Sequence, residues 1–156
     1  MKIYVQSAFG RGPTELAAFD NALCLIHIHN FNLIRLSSVI PPGSVIEVAE
    51  QAVRPQGRWG DRLYVVYAEQ REARPYVGAW AGVGWVQKAD GSGLLVEHEG
   101  ESEQDVNDLI EATLKHMVDQ RGDGGYGPIQ KHIAGGVCAA EPVCAFVAAA
   151  FQTESW

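Results

Sequence analysis

The sequence predicts one mixed α/β (α+β) domain spanning residues 1–156, a sandwich whose central sheet, mixed or antiparallel, is covered by helices on both faces. Three observations lead there. Alternating or continuously apolar segments recur along the chain, two stretches show apolar residues at three- and four-residue spacing, and the order is strand, helix, strands, helix, strands. A chain of 156 residues fits one compact domain and is too short for two independent enzymatic ones.

Met1 to Ser7 alternates apolar and polar residues as a strand does, and lacks the apolar run and small-residue cleavage site of a signal peptide. Gly10-Arg11-Gly12-Pro13 reads as a loop, after which the Thr14 hydroxyl can satisfy free amides at a helix start. That helix carries Leu16, Phe19, Leu23 and Ile26 as one apolar stripe, with Asp20 close to its edge. His27 and His29 read as residues at its C-terminal end, where they complement the dipole. Asn32 to Ile40 reads as a second strand containing an awkward polar pair, Ser37-Ser38, and stopped by Pro41-Pro42-Gly43.

Arg62 to Ala68, Val77 to Gln87 and Leu94 to Glu99 are further strands that can pair into one sheet. Ser102, with Asp105 three residues on, opens a second helix whose stripe is Val106, Leu109, Ile110, Thr113 and Met117. The glycine-rich Arg121 to Pro128 ends it. Ile129 to Phe151 supplies two apolar stretches around Glu141-Pro142, expected to be a pair of central strands. Val143 to Phe151 is half a membrane span and reads as a buried strand, so no membrane partner is expected.

Composition removes several functions. The formal charge is -7, from 12 Lys+Arg against 19 Asp+Glu, and it repels a phosphate backbone, so nucleic acid is not an expected partner. Three widely spaced cysteines, Cys24, Cys138 and Cys144, suit buried thiols in a reducing, cytoplasmic compartment. Neither glycine-rich stretch has the frame of a phosphate cradle, and the five histidines show no zinc spacing. No Gly-x-Ser-x-Gly elbow is present, and the adjacent serines lie in a predicted strand rather than on a sharp turn.

What remains is Asn32-Leu33-Ile34-Arg35-Leu36-Ser37-Ser38-Val39-Ile40-Pro41-Pro42-Gly43. Read alone, two serines before two prolines are a strand end. The segment resembles the self-cleavage site of the pyruvoyl-dependent arginine decarboxylases. Thr14 to Leu23 is similar to that family's first helix, Glu97-His98-Glu99-Gly100 to its Glu-aromatic-Glu-Gly box, and Cys144 to Ala150 to its C-terminal strand. The resemblance therefore covers most of the chain in order.

It implies that the Ser38 hydroxyl attacks the Ser37 carbonyl and that β-elimination leaves a pyruvoyl group in place of Ser38, giving chains 1–37 and 38–156. Such a ketone does the electron-withdrawing work of pyridoxal phosphate, so neither that cofactor nor a metal is expected. The resemblance makes Glu97 the proton donor, places Asn32 beside the pyruvoyl group, and makes Asp20 the carboxylate that meets a guanidinium. Leu16 and main-chain carbonyls near His29 and Phe31 complete the pocket. The implied partner is then a small-molecule amino-acid substrate, arginine first, and the assembly a homotrimer or a multiple of trimers with sites between neighbours. One departure stands at the pocket wall: His27 and His29 occupy positions where archaeal members carry small glycines. A decarboxylase of another amino acid, and an unprocessed relative serving as a binding or assembly module, stay open at this point.

Overall fold

The computed structural model describes residues 1–156 as nine strands and two helices, with the strands in two sheets rather than the single one expected. The first sheet has the order β2 (Asn32–Arg35), β5 (Arg62–Glu72), β9 (Val143–Glu154), β1 (Lys2–Arg11), β4 (Val45–Val48). β9 runs antiparallel to both neighbours, while the edge strands β2 and β4 pair parallel. The second sheet, β3 (Val39–Ile40), β7 (Gly93–Gly100), β6 (Gly78–Gln87), β8 (Gln130–Val137), is antiparallel throughout.

The two sheets face each other across one core. Val143, Ala145, Val147 and Ala149 of β9 meet Ala79, Ala81, Val83 and Trp85 of β6 and Leu95 of β7. The alternate residues of β9, Cys144, Phe146 and Ala148, point the other way and pack under α1 (Glu15–Leu25). α2 (Glu103–Arg121) covers the far side of the second sheet through Val106, Ile110 and Leu114. Each sheet is thus buried on two faces, which is why its central strands read as continuous apolar runs.

Both helices start where their cap residues predict. The Thr14 hydroxyl accepts from Ala17 N at 3.1 Å and the Ser102 hydroxyl from Asp105 N at 3.1 Å. Close approach decides which helical residues turn inward. A Cβ on Gly10 would lie 2.1 Å from the Ala18 carbonyl oxygen, so α1 sits directly on β1 and presents its small residues, Ala18 and Ala22, to the sheet. Leu16 is consequently 64 % exposed and does not belong to the buried stripe. On α2, Leu114 takes the inward place expected of Leu109. Ile110 fills the space left by Gly84, and truncating it to alanine would cost about 2–5 kcal/mol.

Other expectations need correction. β1 continues through Gly10 and Arg11 because β9 pairs with it to that point. α1 ends at Leu25, so His27, with φ of 61°, and His29 lie beyond the helix and not in its last turn. β8 is an edge strand, since β6 is its single sheet neighbour. No helix is long and apolar enough to cross a membrane.

Candidate functional site

The strand expected across Asn32–Ile40 is two strands in different sheets. β2 closes one edge of the first sheet and β3 one edge of the second, so Leu36, Ser37 and Ser38 carry the chain across the sandwich. Leu36 N still donates to Val65 O of the first sheet at 3.0 Å, and Leu95 N of the second donates to Ser38 O at 2.9 Å. The turn between them places Ser38 at φ of 70°, a left-handed conformation that costs a non-glycine residue roughly 1–2 kcal/mol. The serine pair is therefore on a sharp bend, contrary to the strand placement expected from its flanks. Ser38 is buried and Ser37 exposed.

β7 supplies the partner. Leu94 and Val96 point toward α2, leaving Leu95 and Glu97 on the face that looks at the first sheet. Leu95 enters the core, and two residues on, the half-buried Glu97 accepts a hydrogen bond from Ser38 Oγ at 2.9 Å through Oε2. His98 points to the opposite face, where Nε2 lies 2.8 Å from Thr113 Oγ1 of α2, and Glu99 is exposed. Of the Glu97-His98-Glu99 box, Glu97 is the member that reaches the serine.

A depression of about 400 Å³ opens beside Ser38, bordered by Leu36, Ser37, Ser38, Val39, Tyr64 and Gln152. Tyr64 and Gln152 face each other across β5 and β9. Sequence reasoning missed both, because nothing local distinguishes them from other strand residues. The Tyr64 hydroxyl donates to Glu154, which holds the phenol above its ordinary pKa.

Residues 2–154 match the family model described as pyruvoyl-dependent arginine decarboxylase (PvlArgDC). The chain belongs to the pyruvoyl-dependent arginine decarboxylase family. It is 35% identical over 150 residues to the protein of that name from Halobacterium salinarum, covering 94% of this chain and 92% of the relative. It is similar to the Thermococcus kodakarensis protein (34% over 124 residues, 78% and 76% covered) and to pyruvoyl-dependent arginine decarboxylase 2 of Archaeoglobus fulgidus (32% over 121 residues, 73% and 76% covered).

The surroundings of Ser38 fit the prosthetic group in this family's name. Its carbonyl is fixed by Leu95 N–H, its side chain touches a carboxylate, and the depression leaves room in front of it. The remaining residues singled out by the family resemblance stand elsewhere in the chain. Asn32 begins β2, its Nδ2 donating to Gly60 O at 2.6 Å, whereas Ser37 and Ser38 follow the strand's other end. β2 alone spans roughly 10 Å at the usual strand rise. Asp20 and Leu16 are exposed on α1, and the Asp20 carboxylate makes no ion pair, its one hydrogen bond being accepted from Cys24 Sγ at 4.0 Å. His29 and Phe31 line a separate polar hollow of about 160 Å³ with His27, Arg54, Arg58 and Trp59. A single chain therefore unites Ser37, Ser38 and Glu97 but leaves Leu16, Asp20, His29, Phe31 and Asn32 apart from them.

Proposed function

We propose that this chain matures by cleaving itself between Ser37 and Ser38 and then decarboxylates L-arginine to agmatine and carbon dioxide. The observation that carries this is the hydrogen bond from the left-handed Ser38 to Glu97 in a chain of this family. Glu97 takes the hydroxyl proton as Ser38 Oγ adds to the Ser37 carbonyl carbon. The Ser37–Ser38 C–N bond breaks, leaving an ester and a free amine. Loss of the Ser38 Cα proton then breaks the Cβ–Oγ bond and releases the Ser37 carboxylate. The remaining enamine takes up one water and loses one ammonia, so chain 38–156 begins with a pyruvoyl ketone. The bend favours this course because cleavage removes the peptide that holds Ser38 in its costly conformation.

When formed, the pyruvoyl group supplies the sink for the electron pair freed as carbon dioxide departs. The other tasks fall to side chains. Glu97 delivers the proton that replaces the carboxylate on the substrate α-carbon. Asp20, exposed and without a cation of its own, receives the guanidinium as a planar fork, with Leu16 against the methylene stem and the His29 and Phe31 carbonyls around the head. Asn32 orients the substrate's polar end. These residues and Ser38 meet when copies associate head to tail, and a closed ring of three supplies one complete site per contact. The free thiols Cys24, Cys138 and Cys144 suit a cytoplasmic setting, and agmatine leads to polyamine synthesis.

The test is release of carbon dioxide from L-arginine, lysine, ornithine and aspartate by the cleaved protein. Fastest turnover of arginine, with agmatine as product, is expected. Equal or faster turnover of another amino acid contradicts the substrate assignment while leaving the cleavage chemistry intact.

A further inference from the structure

Trp156 is 82 % exposed, so burial of its ring contributes little. It is nevertheless held at specific points. The indole N–H donates to Gly60 O at 2.8 Å and the Arg62 guanidinium lies 4.5 Å from the ring. Ser155 is tied down beside it, accepting from Arg62 Nη2 at 2.7 Å and donating through its hydroxyl to Asp61 Oδ2 at 3.2 Å.

The same Gly60 carbonyl accepts from Asn32 Nδ2 at 2.6 Å. A carbonyl oxygen has two lone pairs, and here one is used by Asn32 and the other by Trp156. The turn around it is fixed by Gly60 N donating to Asn30 O at 2.8 Å and Asn32 N to Asp61 O at 2.9 Å. The buried Asp61 carboxylate also accepts from Arg58 N at 2.7 Å. Only the nitrogen end of an amide can face a carbonyl, so this contact determines that Asn32 Oδ1 points away from Gly60.

We propose that Trp156 is a positioning residue for Asn32: its hydrogen bond steers the Gly60 carbonyl so that Asn32 presents Oδ1 as an acceptor for N–H groups of the substrate. The consequence for catalysis rests on the proposed decarboxylase function, whereas the positioning itself does not.

Trp156→Phe keeps a ring over Arg62 and removes the N–H. The first readout is the Asn32 side-chain amide resonance in the uncleaved Ser38→Ala protein, identified by its disappearance in Asn32→Asp. Trp156→Phe should shift that resonance and speed its hydrogen exchange while leaving unmoved the side-chain amide of Asn107, which lies on α2 and donates to Asp108. The second readout is kinetic, on cleaved protein. Trp156→Phe should raise the KM for arginine by about three- to tenfold, the worth of one neutral hydrogen bond, with a smaller change in kcat and an unchanged cleaved fraction. In an Asn32→Ala background the same substitution should have no further effect. An Asn32 resonance indifferent to Trp156→Phe, or an equal penalty in the Asn32→Ala background, overturns the proposal. Absence of arginine turnover in the unsubstituted protein would instead overturn the decarboxylase function, and the resonance would still decide the positioning.

Discussion

Ser38 Oγ donates to Glu97 Oε2 at 2.9 Å although 59 positions separate the two residues in sequence. The family box suggests Glu97 as a proton donor during turnover alone, but under the proposed function its contact with the hydroxyl assigns it a task in maturation too. Glu97→Gln preserves an acceptor oxygen and removes the ability to take the proton. Cleavage should slow by about 100- to 10,000-fold, the usual contribution of a placed base. The fraction cleaved against time, read on denaturing gels, checks this. Cleavage at the normal rate would confine Glu97 to turnover.

The left-handed conformation of Ser38 makes two inactive variants differ in stability. Ser38→Ala and Ser38→Gly both lose the attacking oxygen and the bond to Glu97. Glycine adopts φ of 70° without the Cβ penalty, so Ser38→Gly should be the more stable by about 1 kcal/mol in denaturant unfolding. Equal stabilities would mean that the bend stores no strain in solution.

Asp20 and Ser38 should complement each other between copies. Asp20→Asn is expected to raise the KM for arginine with little effect on cleavage, and Ser38→Ala to be inactive. Co-expressed, the two variants can form contacts in which one copy supplies Asp20 and the other a matured Ser38. Activity above that of either variant alone, measured on purified mixed assemblies, is the expected result. No gain would place both residues in one copy's site.

Glu72 should contribute to acid stability. It is buried, accepts from Arg74 Nε at 2.9 Å and Nη2 at 2.6 Å, and also receives the Ala73 and Arg74 amides. The Arg74 fork holds its carboxyl at about 2, below the ordinary glutamate value. The contribution is complete above the unfolded-state pKa of about 4.3 and is lost as pH falls through the folded value. Arg74→Gln should therefore lower Tm most near pH 7, and the gap to the unsubstituted protein should narrow toward about pH 2. A gap independent of pH would show that Arg74 acts through packing.

The helix starts were legible because Thr14 and Ser102 signal them chemically, and most strands because their apolar runs are long. The number of sheets was not legible. A strand such as β9, buried on both faces, has the same sequence pattern whether its second face meets a helix or another sheet. β4 was missed because three of its four residues sit exposed at a sheet edge, where little alternation is needed, and Ile46 alone turns toward the core. Of the predicted stripe, Leu23 and Ile26 are buried and Phe19 packs against them, but Leu16 fails because the close approach at Gly10 turns Ala18 and Ala22 toward the sheet, and that is a long-range fact. At the site, the adjacent serines were visible as an oddity, but their bend was hidden because each flank reads as strand. Tyr64, Gln152 and the link from Trp156 to Asn32 depend on contacts between distant segments that leave no local mark.

Intact mass spectrometry of the denatured protein tests the central claim most directly. Two chains should be found, one ending at Ser37 and one spanning residues 38–156 with a ketone at its start, their summed mass reflecting one water gained and one ammonia lost. A single uncleaved chain after prolonged warm incubation would contradict it.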